Sequence, residues 1–185
     1  MKNFGVTTIE LIAVLAIASI LIGIVAPSII NIHNRSKATA EVNWIIGAIN
    51  YSRHSAIIRR TNITLCPYVK NSRECNGKWH EGLIAFTDYN QNARLDGEDF
   101  LIEKIQNTIK DGTITWRAFR NRQYLQFTPY GYTNFQNGNF THCPKNGDPQ
   151  YARQIVINTQ GRARVINSRD AAGQPIDRRG KALRC

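Results

Sequence analysis

Signatures of catalysis are missing from this sequence of 185 residues. It contains no His-Glu-x-x-His pair, no Gly-rich phosphate loop and no nucleophile elbow, so the common hydrolase and nucleotide-binding classes are excluded. Histidine is sparse, and no two of His33, His54, His80 and His142 are spaced to grip a metal from one helix face. Cysteine is sparse too. Cys66, Cys75, Cys143 and Cys185 form no Cys-x-x-Cys pair, which argues against a zinc site. Neither an enzyme activity nor a metal or cofactor is expected. Acidic residues are few, with 13 Asp+Glu against 24 Lys+Arg, a net charge of +11 and a pI near 9.9. Such an excess points to an anionic partner only where it is clustered. No low-complexity tract or internal repeat is visible. The 42% hydrophobic content is that of a folded chain.

Charge of either sign is absent from Leu11 to Ile32. About 20 helical residues span the ~30 Å hydrocarbon core of a bilayer, so this run is long enough to cross one. A secretory signal has a shorter apolar segment followed by a small-x-small cleavage site, and neither is seen here. Glu10 stands at the head of the run. A carboxylate within a membrane costs about 2.5–3.5 kcal/mol at the helix centre and less near the interface, so it needs a cationic partner. Cleavage after Gly5 creates one, the new amine of Val6, one helical turn away.

The segment Met1 to Leu11 resembles the class III signal of type IV prepilins and type II secretion pseudopilins: a short basic leader ending in Gly5, then Thr7, Glu10 and Leu11 before an apolar helix. Val6 stands where the family usually has Phe. Pro27 matches a pilin helix landmark, and its missing amide hydrogen predicts a kink or melted turn there. The resemblance implies that a prepilin peptidase cuts Gly5-Val6 and methylates the new amine. It further implies that the subunit waits in the bacterial inner membrane as a single-pass protein with its head in the periplasm. From there it would join other pilins in an extracellular filament, where Glu10 pairs with a neighbour's terminal amine.

Beyond Ile32 apolar residues continue at three-and-four spacing through Ala38, Val42, Ile45, Ile49 and Ala56, which predicts one helix from about Thr8 to about Ile58. Trp44 reads as a packed or rim aromatic. Short strands follow at 62–65, 83–86, 113–119 and 124–128, and a hairpin joins 154–157 to 164–166 across Asn158-Thr159-Gln160-Gly161. The expected fold is α+β and type IV pilin-like. Its long helix has a membrane-spanning half and an amphipathic half, and it packs on a small antiparallel β-sandwich or sheet. The divisions are a leader (1–5), a membrane or filament-core helix (6–32), the amphipathic half (33–60), the β-rich head (61–167) and a basic tail (168–185). In an exported head the four cysteines allow three pairings, of which the simplest is local, Cys66 with Cys75 and Cys143 with Cys185. Cys66-Pro67, Cys75, Trp79 and Gly82 to Asp88 resemble the head of GspH pseudopilins and FimT/FimU-type minor pilins.

Three constellations remain. Asp88, Asn90, Asn92, Asp96 and Asp99 alternate like a calcium loop, but Ala93 replaces the glycine of its sharp turn, so a solvated turn is the better reading. Trp116, Arg117, Phe119, Arg120, Arg122 and Tyr124 form a basic and aromatic run of the kind that extends a cationic patch by stacking on single strands, but a strand with one core face and one solvated face is the better reading. The C-terminal 35 residues hold Arg153, Arg162, Arg164, Arg169, Arg178, Arg179, Lys181 and Arg184 against Asp170 and Asp177, a net +6. Seven of the eight are arginine, whose fork fits phosphate. Gly161-Arg162-Ala163-Arg164 resembles the Gly-Arg-x-Arg motif of FimT-type minor pilins of naturally competent bacteria, which implies nonspecific DNA binding for uptake. The alternatives are a structural minor pilin that primes assembly or adheres, and a GspH-like pseudopilin of type II secretion.

Overall fold

The apolar run and the amphipathic stretch behind it form one α-helix, α1, over Thr8–Arg59. The computed structural model describes residues 5, 7–69 and 72–185, so Val6 and most of the leader lie outside the described residues. The helix assignment continues through residue 27, and the melted turn expected at Pro27 is not present.

The chain divides into two compact units, Met1–Ser36 and Lys37–Cys185. In the first, apolar side chains such as Ile12, Leu15, Ile22 and Ile29 are exposed. An 18-residue window there has a mean hydropathy of 2.7, and the helix is long and apolar enough to cross a membrane. In the second, α1 buries Ala38, Val42, Ile45, Ala48, Ile49 and Ala56 on one stripe. Full burial of side chains the size of Ile45 or Ile49 is worth about 1.5–3 kcal/mol each.

Two four-stranded antiparallel sheets complete the second unit. The first has the order β3-β2-β1-β5, built from β1 (Ile63–Pro67), β2 (Leu83–Thr87), β3 (Leu101–Ile105) and β5 (Leu125–Phe127). The second has the order β4-β6-β7-β8, built from β4 (Gly112–Ala118), β6 (Gly138–Pro144), β7 (Arg153–Ile157) and β8 (Ala163–Ile166). Ile63, Leu65, Leu83 and Ala85 face the main core with the helix stripe, and Ile114, Trp116, Phe140, Ile155 and Ile157 join them from the second sheet. Trp116 stacks on Phe140 at 4.3 Å between centroids, and Trp79 meets the same ring edge-on at 4.7 Å.

The other face of β1 and β2 carries Cys66, Ile84 and Phe86 beneath a small second cluster that includes Tyr68, Cys75 and Leu95. The Cys66–Cys75 disulfide closes that cover. Burial on both faces leaves β1 and β2 without polar alternation. Lys37 pairs with Asp111 at 2.9 Å, and buried Glu41 accepts the Asp111 N–H and an Asn107 Nδ2 hydrogen, both at 2.9 Å. Those bonds fix the loop before β4 to the helix. Trp44, half-buried, donates its ring N–H to the Gln106 carbonyl.

Candidate nucleic-acid interface

Asn158-Thr159-Gln160-Gly161 turns β7 into β8. The Gly161 N–H donates to the Asn158 carbonyl, and the Asn158 side chain accepts the Arg162 N–H, both at 3.0 Å. Both amides are therefore spent inside the turn, so Gly161 contributes shape and no donor. Its φ of +74° is a conformation natural to glycine. The same five-residue device recurs at 128–132, 170–174 and 177–181. In each, the fourth residue is glycine at φ between +76° and +79°, and the first residue's N–H donates to the fifth residue's carbonyl at 2.7–2.9 Å. The chain thus carries a short structural repeat invisible in its sequence, because only the glycine is shared by all copies.

Two of these turns meet. A Cβ on Gly161 would lie 2.4 Å from the Gly131 carbonyl oxygen and 3.1 Å from Arg53 Nε. Arg53 Nε donates to that same carbonyl at 2.9 Å, and the Thr133 N–H and hydroxyl donate to the Thr159 carbonyl at 2.9 and 3.2 Å. The two reversals form one braced edge, with Arg162 beside Gly161 and Tyr130 and Tyr132 flanking Gly131. Neither tyrosine was singled out by sequence reasoning, and nothing in the local pattern would have done so.

Strand register places the cations. Ala163 and Val165 pack toward the core, so Arg164, and by alternation Arg162, face outward. Arg117, Asn139, Val156 and Arg164 fall in one cross-strand row of the second sheet. Three strand spacings put Arg117 about 14 Å from Arg164 on that face. The strand expected around Trp116 has one core face and one solvated face but ends at Ala118; the chain then enters a 3-10 turn over Phe119–Asn121, so Phe119 to Tyr124 do not continue it, and Arg117 on its solvated side joins the candidate surface. Between Gly112 and Arg169 the sole carboxylate is Asp148, against eight Lys or Arg.

The tail is folded. The Cys143–Cys185 disulfide ties its last residue to β6, and Pro175 and Leu183 are buried. Arg169 donates to the Gly173 and Gln150 carbonyls. Arg153 is half-buried and donates to the Gln150 and Ala152 carbonyls at 3.1 and 2.8 Å. These two arginines brace the structure. Arg162, Arg164, Arg178, Arg179, Lys181 and Arg184 are exposed, and among the described residues none of the six makes an ion pair. The tail's anchors lie at the Arg153 end of the sheet, opposite the 158–162 turn, so the structure separates one sequence cluster into two groups. Asp177 shapes the tail's last turn. Its carboxyl is held below its ordinary value chiefly by the Lys181 N–H, with help from the Arg179 N–H and both side-chain charges.

The remaining candidates serve the fold. The Asp88 carboxylate is buried and accepts from the Thr64 hydroxyl at 2.6 Å, Gln126 Nε2 at 2.7 Å, and the Asn92 and Ala93 N–H groups at 3.0 Å each. The 88–99 loop is a turn built on that carboxylate. His142 is buried in β6 with neither ring nitrogen hydrogen-bonded among the described residues. Burial lowers its pKa from 6.5 to about 4. Asp111 opposes that shift and Arg153 adds to it. At the N-terminus the Glu10 N–H donates to Thr7 Oγ1 at 3.4 Å, and the Glu10 carboxylate accepts from the Thr7 N–H at 3.5 Å. That is a loose capping box on α1. Gly5 is exposed next to the helix start.

A long N-terminal helix with two antiparallel sheets is the type IV pilin fold. It matches the type IV minor pilin FimU of Pseudomonas aeruginosa strain PAO1 in its P21 crystal form, with a TM-score of 0.54 and 19% identity over 71% of this chain and 89% of that one. The P65 form of FimU aligns with a TM-score of 0.48 and 20% identity, covering 70% of this chain and 90% of that one. Residues 41–161 match the family model described as type II transport protein GspH, and the chain belongs to that family. It is a family of structural pilin-type subunits rather than of enzymes. No curated protein matches this sequence. The family match ends at Gly161, so Arg162, Arg164 and the tail lie beyond it.

Proposed function

We propose that this chain is a minor type IV pilin that binds DNA through its phosphates during natural transformation. The observation that carries this reading is the pair Arg162 and Arg164, exposed, without an ion pair among the described residues and held outward by a rigid turn, in a segment from Gly112 to Arg169 whose sole carboxylate is Asp148. Guanidinium groups on a braced edge lose little entropy on gripping a phosphate. Recognition of this kind is independent of sequence. In this scheme a prepilin peptidase releases the subunit after Gly5, and Glu10 leaves its loose contacts with Thr7 for the terminal amine of a neighbouring pilin. The subunit stays in the inner membrane until it enters a filament. Arg153 and Arg169 support the surface from within. Arg178, Arg179, Lys181 and Arg184 extend it along the tail.

A salt series of duplex binding tests this reading. On B-DNA each neutralised phosphate contributes about 0.9 to the slope of log K against log salt, so six contacts set a ceiling near 5. Arg162→Gln with Arg164→Gln is expected to lower the slope by about 2 and leave the melting temperature unchanged. Absence of duplex binding at low salt removes the DNA-receptor role. The second reading is then favoured, a GspH-like subunit of type II secretion, because the matched family carries that description.

A further inference from the structure

The turn opposite Gly161 carries an unusual row of aromatics. Tyr130 is 81% exposed and Tyr132 54%, and Phe135, three residues on, is 76% exposed at a φ of +57°. A bulky residue in the left-handed region is strained. The segment is held so from both sides. The Asn134 N–H donates to the Gln126 carbonyl at 3.0 Å, and the buried Gln136 side chain accepts the Gln126 N–H. Tyr130 and Tyr132 flank Gly131, whose carbonyl lies against Gly161, the residue before Arg162. Arg53 lies beneath both turns, with Nε on the Gly131 carbonyl. No carboxylate occurs anywhere from Gly112 to Gly147.

Exposed tyrosines on a rigid turn next to outward arginines match the chemistry of a single nucleic-acid strand. Bases lie on ring faces while phosphates meet guanidinium groups. A duplex hides its base faces in the stack and has no use for the aromatics. The lack of carboxylates in the segment that carries the tyrosines favours a polyanion over an ordinary protein surface as the occupant. We infer that the 128–132 turn is a base-stacking platform that gives the Arg162–Arg164 edge a preference for single-stranded DNA. This rests on the phosphate-binding reading of those arginines. Phe135 extends the platform along the same loop.

The test is fluorescence anisotropy on the full chain in neutral detergent, with a 12-nucleotide oligothymidylate and a 12-base-pair duplex at one salt concentration. The single strand is expected to bind tighter. Tyr130→Ala with Tyr132→Ala is expected to weaken single-strand binding at least ~5-fold, the low end for losing one stacked base, and to change duplex binding less than twofold. Tyr130→Phe with Tyr132→Phe keeps the ring faces and should retain the preference. Equal affinity for both forms, unmoved by the alanine variant, overturns the platform and leaves the phosphate reading standing. If that variant also fails to enter filaments, the face is a contact with a neighbouring pilin. Loss of both affinities together makes the tyrosines supports of the turn and likewise overturns the inference. No binding of either DNA by the unmutated chain sinks the phosphate reading, and this inference with it.

Discussion

Gly161→Ala separates two costs that glycine substitutions usually mix. Gly161 and Gly173 occupy the same position of the same turn, at φ +74° and +79°. A Cβ in the left-handed region costs roughly 1–2 kcal/mol. Stiffening the unfolded chain returns about 0.4–1 kcal/mol of that. A Cβ on Gly173 meets nothing within 4 Å, so Gly173→Ala should cost about 1 kcal/mol net. At Gly161 the new methyl falls 2.4 Å from the Gly131 carbonyl oxygen, and that oxygen is backbone, already held by Arg53. Ordinary contact requires a shift of about 1 Å, which strains the Arg53 bond and the Thr133–Thr159 bonds. Overpacking of this kind adds about 1–3 kcal/mol, for a total near 3 kcal/mol. Urea unfolding followed by the fluorescence of buried Trp79 and Trp116 reads both variants. In a head of this size each kcal/mol moves the melting temperature by roughly 2–4 °C, so the two variants should separate by several degrees. If Gly161→Ala destabilises no more than Gly173→Ala, the two turns are not braced against each other, and the rigid presentation of Arg162 and Arg164 goes with them.

Four further outcomes are expected. The pKa of His142 is lower in the folded head than in the unfolded chain, so the unfolded chain takes up its proton first. The stability present above pH 6.5 is therefore lost as the pH falls toward 4, by roughly 3 kcal/mol. Urea midpoints across that window should lose most of this dependence in His142→Leu, and an unchanged pH profile refutes the assignment. The Cys143–Cys185 bond spans 42 residues, for which chain entropy gives up to about 4 kcal/mol. Cys143→Ser with Cys185→Ser should lower stability by up to that amount and open Arg178 and Arg179 to rapid tryptic cleavage, while equal cleavage rates show a tail held by its turns alone. Asp88→Ala removes the carboxylate acceptor of three buried donors and should cost at least about 3 kcal/mol by urea unfolding. Millimolar calcium should leave the melting temperature of the unmutated protein in place, and a rise with calcium restores the 88–99 loop as a cation site.

Much of the fold was legible because its signals are local. The uncharged run, the three-and-four spacing to Ala56 and the Asn-x-x-Gly turn specify α1 and the β7–β8 hairpin from neighbouring residues alone. The strands β3 and β6 were missed for opposite reasons. Leu101–Ile105 is an edge strand carrying Glu103 and Lys104, so it lacks a clean apolar face. Gly138–Pro144 is a central strand bounded by turn-forming residues, and only the partners on both sides make it extended.

The candidate site divides along the same line. Composition and the Gly161–Arg164 motif pointed to Arg162 and Arg164 without any knowledge of their surroundings. Only the tertiary structure set Arg117 in a row with Arg164, because register across three strand pairs decides which residues share a row. It alone brought the Gly131 turn against the Gly161 turn over Arg53, 30 residues apart along the chain and further still from the helix. It also withdrew Arg153 and Arg169 from the free cations and buried His142 and Asp88. Periodicity and turn chemistry act between near neighbours, so a sequence displays them. Which surfaces meet is settled by packing and hydrogen bonds between distant segments, and no residue records that by itself.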